Sequence, residues 1–133
     1  NDGVYEKCKE LINDVGLNET FLSRFPHELS GGQRQRVCIA RAISVNPQVL
    51  ICDESVSALD VSIQATVLNL LNLLKKKYKF TYIFISHDLS VVKYMSDKII
   101  VLYNGEIVDY QDADLLFEKP KDNYTKRLIK ASS

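Results

Sequence analysis

The sequence predicts an α/β fold in which helices flank a mostly parallel β-sheet. Two short apolar runs, VLIC at 49–52 and TYIFI at 81–85, are typical of strands buried on both faces of such a sheet. A long helical pattern lies between them, as a parallel crossover requires. The segments KIIVLY and EIVDY, joined by Asn104-Gly105, predict a hairpin with a type I′ turn. We expect this hairpin to add an antiparallel edge to the parallel sheet.

Helical patterns account for most of the remaining chain. Several of them end at a residue that breaks helices, namely Gly16, Pro47 and Pro120. The expected helices run from Val4 to Val15, from Asn18 to just before Pro26, from Gly31 to about Asn46, from Asp60 to the lysines at 75–77, around Val91 to Met95, and in two short pieces from Asp112 onward.

The composition excludes several classes of protein. The chain has 133 residues, enough for one small domain or part of a larger one, and its 17 basic residues balance 17 acidic ones. The net charge therefore does not favour binding to nucleic acid or to an anionic membrane. No apolar run reaches the ~18–20 residues of a transmembrane helix, and the polar start NDGVYEKCKE is not a signal peptide. We expect a soluble chain that could dock on a membrane protein.

The three cysteines, Cys8, Cys38 and Cys52, form no C-x-x-C pair, and each falls inside an apolar pattern. This pattern predicts reduced, buried thiols in a cytosolic protein. Neither a metal site nor a redox role is expected of them.

Two adjacent glycines stand where the third helix begins, in HELSGGQRQRVCIARAI at 27–43. Glycine costs roughly 1 kcal/mol relative to alanine inside a helix, so the pair needs a compensating reason. Ser30 can cap the helix with Gln33 at N3, which is the S-x-x-Q pattern of a capping box. A bare first turn exposes backbone N–H groups at the positive end of the helix dipole, where a phosphate could approach. An isolated Ser-Gly-Gly, however, is more often a simple turn between two segments.

Titratable side chains follow both predicted parallel strands. Asp53 and Glu54 come directly after the first, and His87 lies just beyond the second. In an open α/β sheet, ligands bind beyond the C-terminal ends of the strands. Asp53 would then hold Mg²⁺ through water, Glu54 would orient or deprotonate an attacking water, and His87 would bond a terminal phosphate. The simpler interpretation is that the acids open a turn, that His87 is an N-terminal helix residue and that Asp60 only caps the next helix.

The order of these motifs is more specific than any one of them. L-S-G-G-Q, an apolar strand with D-E, S-A-L-D and a strand with S-H-D follow one another, and in this order the chain resembles the ATP-binding subunit of ABC transporters. The resemblance implies a partial P-loop NTPase fold with part of the helical signature subdomain. The roles it implies are a signature motif of Leu29, Ser30, Gly31, Gly32 and Gln33, a Walker B Asp53, a catalytic Glu54, a D-loop from Ser57 to Asp60, and a switch histidine, His87.

Three longer stretches make the chain similar to the oligopeptide and dipeptide importer branch, which also includes nickel importers. They are FPHELSGGQRQRV at 25–37, ICDESVSALDVSIQATVLNLL at 51–71 and LFEKPKDNYTKRLIK at 116–130. Ser55 departs from the proline or alanine of many relatives, which would alter the stiffness of the loop without removing a catalytic group.

The resemblance also implies cofactors and partners. ATP and Mg²⁺ would bind between two ATP-binding subunits paired head to tail, with each signature motif acting on the γ-phosphate held by the other subunit. Transmembrane permease subunits, and indirectly an extracytoplasmic solute-binding protein, would be further partners, with no nucleic acid involved. The implied location is the cytoplasmic face of the cell membrane.

One motif of the family is missing from the chain. None of the five glycines is followed by lysine, so there is no G-x-x-x-x-G-K-[ST] phosphate loop. We therefore expect the C-terminal part of a nucleotide-binding domain that does not hydrolyse ATP alone. Residues 1–46 would be the helical signature region, 47–110 the core from Walker B to the switch histidine, and 111–133 a C-terminal helical extension. Uncovered sheet edges and apolar faces are also expected, leading to self-association or a rearranged fold.

Two other functions stay open. A soluble ATPase of DNA repair or chromosome structure uses the same motifs, but such proteins typically continue into long coiled coils, and this chain has no sustained heptads. A non-catalytic module that offers only its signature surface to a partner would suit a chain without a phosphate loop. Such a module has no chemical need for Glu54 and His87. ATP hydrolysis by an importer subunit is therefore the preferred hypothesis, with the solute set by partners that this sequence does not encode.

Overall fold

A computed structural model describes residues 2–132 of the chain, which form two compact units that meet in sequence between Ile83 and Phe84. The elements in chain order are α1 (Asp2–Asp14), two 3₁₀ turns (Glu19–Ser23 and Pro26–Glu28), α2 (Gly31–Ile43), β1 (Val49–Asp53), α3 (Val61–Tyr78), β2 (Thr81–Ile85), α4 (Leu89–Met95), β3 (Lys98–Tyr103), β4 (Glu106–Asp112), α5 (Ala113–Glu118) and α6 (Asn123–Ala131). The boundary between the two units falls inside β2.

Three helices supply most of the core of the first unit. Val15 of the turn after α1, Ile43 at the end of α2 and Leu71 of α3 are completely buried. The helix α2 ends at Ile43, three residues earlier than predicted. Asn46 has a φ of 50°, in the left-handed region, so the chain leaves the helical path before it reaches Pro47.

Polar contacts fix the end of α1. The Nζ of Lys77 donates to both carboxylate oxygens of Asp14, at 2.6 and 2.7 Å, and the hydroxyl of Tyr78 donates to the same carboxylate. Gly16 has a φ of 73° and stops the helix as predicted. Nη1 of Arg36 donates to the carbonyl of Gly16 and to that of the residue before it, at 3.3 and 3.4 Å. The C-terminus of α1 is thus tied to α2 and α3.

The strands β1 and β2 form a two-stranded parallel sheet connected by α3. The prediction that both strands are buried on both faces is wrong, because Val49, Ile51 and Ile83 are 51%, 64% and 49% exposed. Cys52 is the buried residue of β1. A strand is buried on two faces only where a layer covers each face, and here one apolar face stays open among residues 2–132. This agrees with the expectation of uncovered apolar faces.

The strands β3 and β4 form the predicted hairpin. Lys98 pairs with Asp112 at one end and Tyr103 with Glu106 at the other, with an irregularity after Val101. Both turn residues have positive φ, 50° for Asn104 and 82° for Gly105, as a type I′ turn requires. Within the described residues the hairpin is a separate two-stranded sheet, so the prediction that it extends the parallel sheet is wrong.

Short helices cover one face of the hairpin in the second unit. The buried cluster there consists of Val92, Ile99, Val101, Ala113 and Leu116, and side chains of α5 and α6 pack against it. The division of the C-terminal helical segment at Pro120 is confirmed, because α5 ends at Glu118 and α6 begins at Asn123.

A buried carboxylate fixes the loop between α5 and α6. Asp109 of β4 is only 3% exposed, and its Oδ2 accepts hydrogen bonds from the backbone N–H groups of Lys121 and Asp122, at 2.9 and 3.3 Å. Its Oδ1 accepts from Nε2 of Gln111 at 2.9 Å. Burial raises the pKa of this carboxyl, but the amide hydrogen bonds outweigh it and hold the pKa below its ordinary value.

The three cysteines are free, but only Cys52 is buried. The prediction of buried thiols is therefore wrong for Cys8 and Cys38, which are both exposed. Burial raises the pKa of the Cys52 thiol to about 11. No helix in residues 2–132 combines the length and the apolar character needed to cross a bilayer.

Candidate functional site

The predicted capping box is present at the start of α2. The Oγ of Ser30 accepts a hydrogen bond from the backbone N–H of Gln33 at 3.3 Å, and the backbone N–H of Ser30 donates to Oε1 of Gln33 at 3.0 Å. Leu29, just before the cap, is buried and anchors the chain as it enters the helix. The first residue of the helix is Gly31. The tip of α2 is therefore a fixed structure.

This tip offers hydrogen-bond donors to an anion. The N–H groups of Gly31 and Gly32 lie in the first helical turn, where no preceding turn supplies carbonyl acceptors. The Ser30 hydroxyl accepts the capping bond through a lone pair, so its own proton can still be donated. The positive end of the helix dipole adds to the attraction for negative charge.

The two glycines differ in their surroundings. A Cβ built on Gly31, which is exposed, would lie 3.6 Å from Cδ2 of Leu59, an ordinary contact distance. A Cβ built on Gly32, which is buried, would lie 2.6 Å from Cγ2 of Ile63, which no real Cβ tolerates. The surroundings of Gly31 thus leave room for a Cβ, whereas Gly32 is bare where α2 packs on α3. The prediction that both glycines are bare to admit an anion does not include this packing contact of Gly32.

The two acids follow β1 as predicted. Asp53 is the last residue of the strand and Glu54 begins the turn, and both are exposed. Glu54 has a φ of 47°, in the left-handed region, which costs a residue with a side chain roughly 1–2 kcal/mol. Ser57 holds this turn, because its backbone N–H and its hydroxyl donate to the Glu54 carbonyl at 3.3 and 3.0 Å. The backbone of Glu54 is therefore held in a strained conformation.

Asp60, at the end of S-A-L-D, caps α3. Its Oδ1 accepts from the backbone N–H of Ile63 at 3.1 Å and from the hydroxyl of Ser62 at 2.8 Å. These bonds, that from Ile63 first, hold the pKa of the Asp60 carboxyl below its ordinary value. The capping interpretation of Asp60 is confirmed, and the cap fixes the end of the predicted D-loop.

The tip of α2 and the strand-end acids border one cavity of about 460 Å³ in the first unit. Its walls come from one face of α2, from β1 and from the loop that follows β1. They include Gly31, Gln35, Cys38, Asp53, Glu54 and Leu59.

His87 belongs to the second unit. It is exposed and lies between the end of β2 and Asp88, the N-cap of α4, so it stands outside the helix, not in its first turn. The Asp88 carboxylate accepts from the backbone N–H groups of Ser90 and Val91, at 2.9 and 3.3 Å. The hydrogen bonds from Ser90, and to a smaller extent the charge of His87, lower the pKa of Asp88.

The acids suit Mg²⁺ better than a metal held by protein alone. Among residues 2–132 there is no group of three or more His, Cys, Asp or Glu side chains placed to hold a metal. Mg²⁺ needs no such group, because it usually binds one or two carboxylates and completes its shell with water and substrate phosphates. The exposed carboxylate of Asp53 fits that requirement.

Comparisons with known proteins agree with the motifs. Residues 4–57 match the family model described as ABC transporter. The chain is 54% identical to the oligopeptide transport ATP-binding protein OppF of Bacillus subtilis (strain 168), over 95% of this chain and 41% of that protein. It is 51% identical to AppF of the same organism, over 93% of this chain and 38% of AppF, and 51% identical to AmiF of Streptococcus pneumoniae, over 95% and 41%. The chain thus spans about two fifths of the length of these relatives.

A solved structure gives the same result for the fold. The ADP conformation of MJ1267, an ATP-binding cassette of an ABC transporter, is 27% identical and superimposes with a TM-score of 0.78, covering 92% of this chain and 49% of MJ1267. The expected α/β fold of an ABC ATPase is confirmed. Over nearly its whole length the chain is thus similar to the ATP-binding proteins of ABC transporters.

Proposed function

We propose that this chain is part of an ATP-hydrolysing subunit of an importer for peptides or related small solutes. The names of its relatives, which are oligopeptide transport ATP-binding proteins, support this function. The structural observation that carries the proposal is the carboxylate of Glu54, held by a left-handed backbone directly after the strand-end Asp53. A simple surface turn does not need a strained glutamate.

The residues of the strand end would share the chemistry. Asp53 would hold Mg²⁺ through water, and the ion would neutralise charge on the phosphates when bound. Glu54 would accept a proton from the attacking water or orient it, as a carboxylate beside the terminal phosphate can. His87 would donate a hydrogen bond to that phosphate.

The tip of α2 would act on a nucleotide bound mainly by another subunit. The hydroxyl of Ser30 and the N–H groups of Gly31 and Gly32 are donors of the kind that binds a γ-phosphate. Leu29 would anchor this signature motif, Gln33 would complete its cap, and Asp60 would fix the adjoining loop. Two subunits paired head to tail would complete each other's sites. The movement of this pair would be transmitted to permease subunits at the cytoplasmic face of the membrane.

The 133-residue chain alone is expected to show no ATP hydrolysis, because it contains no G-x-x-x-x-G-K-[ST] loop to bind the β- and γ-phosphates. Activity is expected for a polypeptide in which this sequence follows such a loop.

The test is Glu54→Gln in that polypeptide. The amide keeps the size of the side chain but cannot accept the proton, so ATP should remain bound in stable pairs of subunits while phosphate release falls about 100-fold or more. The matched control is Glu118→Gln on α5, an exposed carboxyl, which should leave turnover unchanged. Normal phosphate release by the Glu54 variant would refute the proposed role.

A further inference from the structure

We propose that Ile63 is a positioning residue for the ATP hydrolysis proposed above. Its Cγ2 methyl lies against Gly32 and so sets where the tip of α2 stands relative to the first turn of α3. The packing part of this proposal is independent of ATP, and its catalytic consequence rests on the proposed function.

The contact is close and involves one atom. The Cβ position of Gly32 is 2.6 Å from Cγ2 of Ile63, whereas the next nearest atoms of that side chain, Cβ and Cδ1, are at 3.9 and 4.0 Å. No such restriction exists one residue earlier, where the Cβ position of Gly31 is 3.6 Å from its nearest neighbour. Gly32 is therefore required by the β-branch of Ile63, not by the size of that side chain as a whole.

Ile63 is itself held in place. Its backbone N–H donates to Oδ1 of Asp60, the residue that caps α3. A β-branched side chain in a helix has one strongly preferred χ1 rotamer, so the Cγ2 methyl cannot swing away at low cost. The contact therefore joins two capped helix ends, with Ser30 capping one and Asp60 the other. The signature tip and the end of the S-A-L-D loop are therefore adjacent, and this contact sets the spacing between them.

A methyl group at position 32 would have to push the tip of α2 away from Ile63 of α3. The contact of 2.6 Å must lengthen to at least the 3.4 Å of an ordinary van der Waals contact. A shift approaching 1 Å in a group that acts on a transferring phosphate can lower the rate about 100-fold. Because the tip acts on a nucleotide bound mainly by the other subunit, the loss should fall on kcat and leave the KM for ATP nearly unchanged.

The experiment uses Gly32→Ala alone and combined with Ile63→Leu or Ile63→Val. Leucine has no β-branch and so removes the opposing methyl at equal volume, whereas valine keeps the β-branch with its Cγ2 methyl and loses only Cδ1. In the 133-residue chain, Gly32→Ala should lower the thermal midpoint by about 5 °C, and only the leucine double variant should recover it. In the polypeptide with a phosphate loop, Gly32→Ala should lower kcat about 100-fold, and only the leucine double variant should regain most of the rate.

Each result bears on one of the two proposals. The role of Ile63 would be overturned by any of three results. These are equal recovery of stability and rate in the leucine and valine double variants, no recovery of kcat in either, and no effect of Gly32→Ala. Recovery of stability by the leucine double variant without recovery of kcat would also overturn the role of Ile63. The rate would then require the absence of a side chain at position 32 for contact with the phosphate, and not the packing on α3. Failure of the unmutated polypeptide to hydrolyse ATP would refute the proposed function instead, while the stability measurements would still decide the packing.

Discussion

Removing the Asp109 carboxylate should destabilise the C-terminal helical segment. In Asp109→Ala, the backbone N–H groups of Lys121 and Asp122 lose their acceptor. The side-chain amide of Gln111 loses one of its two acceptors and keeps the carbonyl of residue 119. A donor left unsatisfied in a buried place costs about 1–3 kcal/mol. Lys121 is exposed and water can reach its amide, so we expect a total loss of about 2–4 kcal/mol. That is a large part of the ~5–15 kcal/mol that stabilises a typical domain.

Urea unfolding followed by far-UV circular dichroism measures this loss, and hydrogen exchange at the amides of Lys121 and Asp122 locates it. The matched control is Asp112→Ala, at the end of the same strand, because the Asp112 carboxylate is exposed and makes no capping hydrogen bond to α5. The control should change the free energy of unfolding by no more than ~0.5 kcal/mol.

The pH dependence of the free energy of unfolding follows from the lowered pKa of Asp109. A carboxyl whose pKa is lower in the folded than in the unfolded protein stabilises the fold above the unfolded value of about 3.9. This contribution is lost as the pH falls through the folded pKa. The stability difference between wild type and Asp109→Ala should therefore be constant near neutral pH and shrink below about pH 4. Equal midpoints for both alanine variants at pH 7, or a difference that grows in acid, would refute the reasoning.

Three further predictions concern the first unit. Gly31→Ala should leave the thermal midpoint unchanged or slightly raised, because the added methyl meets only an ordinary contact. In a polypeptide with a phosphate loop, the same substitution should lower ATP turnover at least about tenfold. Unchanged turnover would contradict the role of the bare tip. Gly16→Ala should cost about 1–2 kcal/mol in urea unfolding, because φ is 73° and the methyl would press on the Arg36 guanidinium, which donates to the carbonyls of residues 15 and 16. A maleimide should modify Cys8 and Cys38 in the folded chain and reach Cys52 only after denaturation, as mass spectrometry can count.

Local signals in the sequence predicted local structure well. The capping box of Ser30 and Gln33 and the hairpin turn at Asn104-Gly105 both form as predicted. Each depends on backbone preferences within four residues, so no distant contact is needed to decide it. The stop of α1 at Gly16 belongs to the same class.

Burial and strand order were predicted less well, because they depend on what covers a segment. The apolar character of Val49 and Ile51 showed that these residues belong to a strand, but it could not show that one face of that strand stays open. The exposure of Cys38 was missed for the same reason. The separation of the hairpin from β1 and β2 depends on tertiary pairing, which a pattern of period two does not encode.

At the candidate site, sequence reasoning found the residues but not all their contacts. It located the glycine pair and the acids, whose roles remain proposals. It missed that Gly32 packs on Ile63, because two helix starts 31 positions apart in the chain give no periodic signal. The hydrogen bonds of Asp109 to a loop twelve residues away were missed in the same manner.

The left-handed backbone at Glu54 has a consequence for variation at this position. Glycine would occupy the same φ without steric cost, so Glu54→Gly should relieve the strain. If variants were selected only for folding, glycine or asparagine would thus be favoured at position 54. Among descendants of this protein, loss of the acid should accompany loss of the proposed ATP hydrolysis, and a more stable but inactive chain should be a common end point.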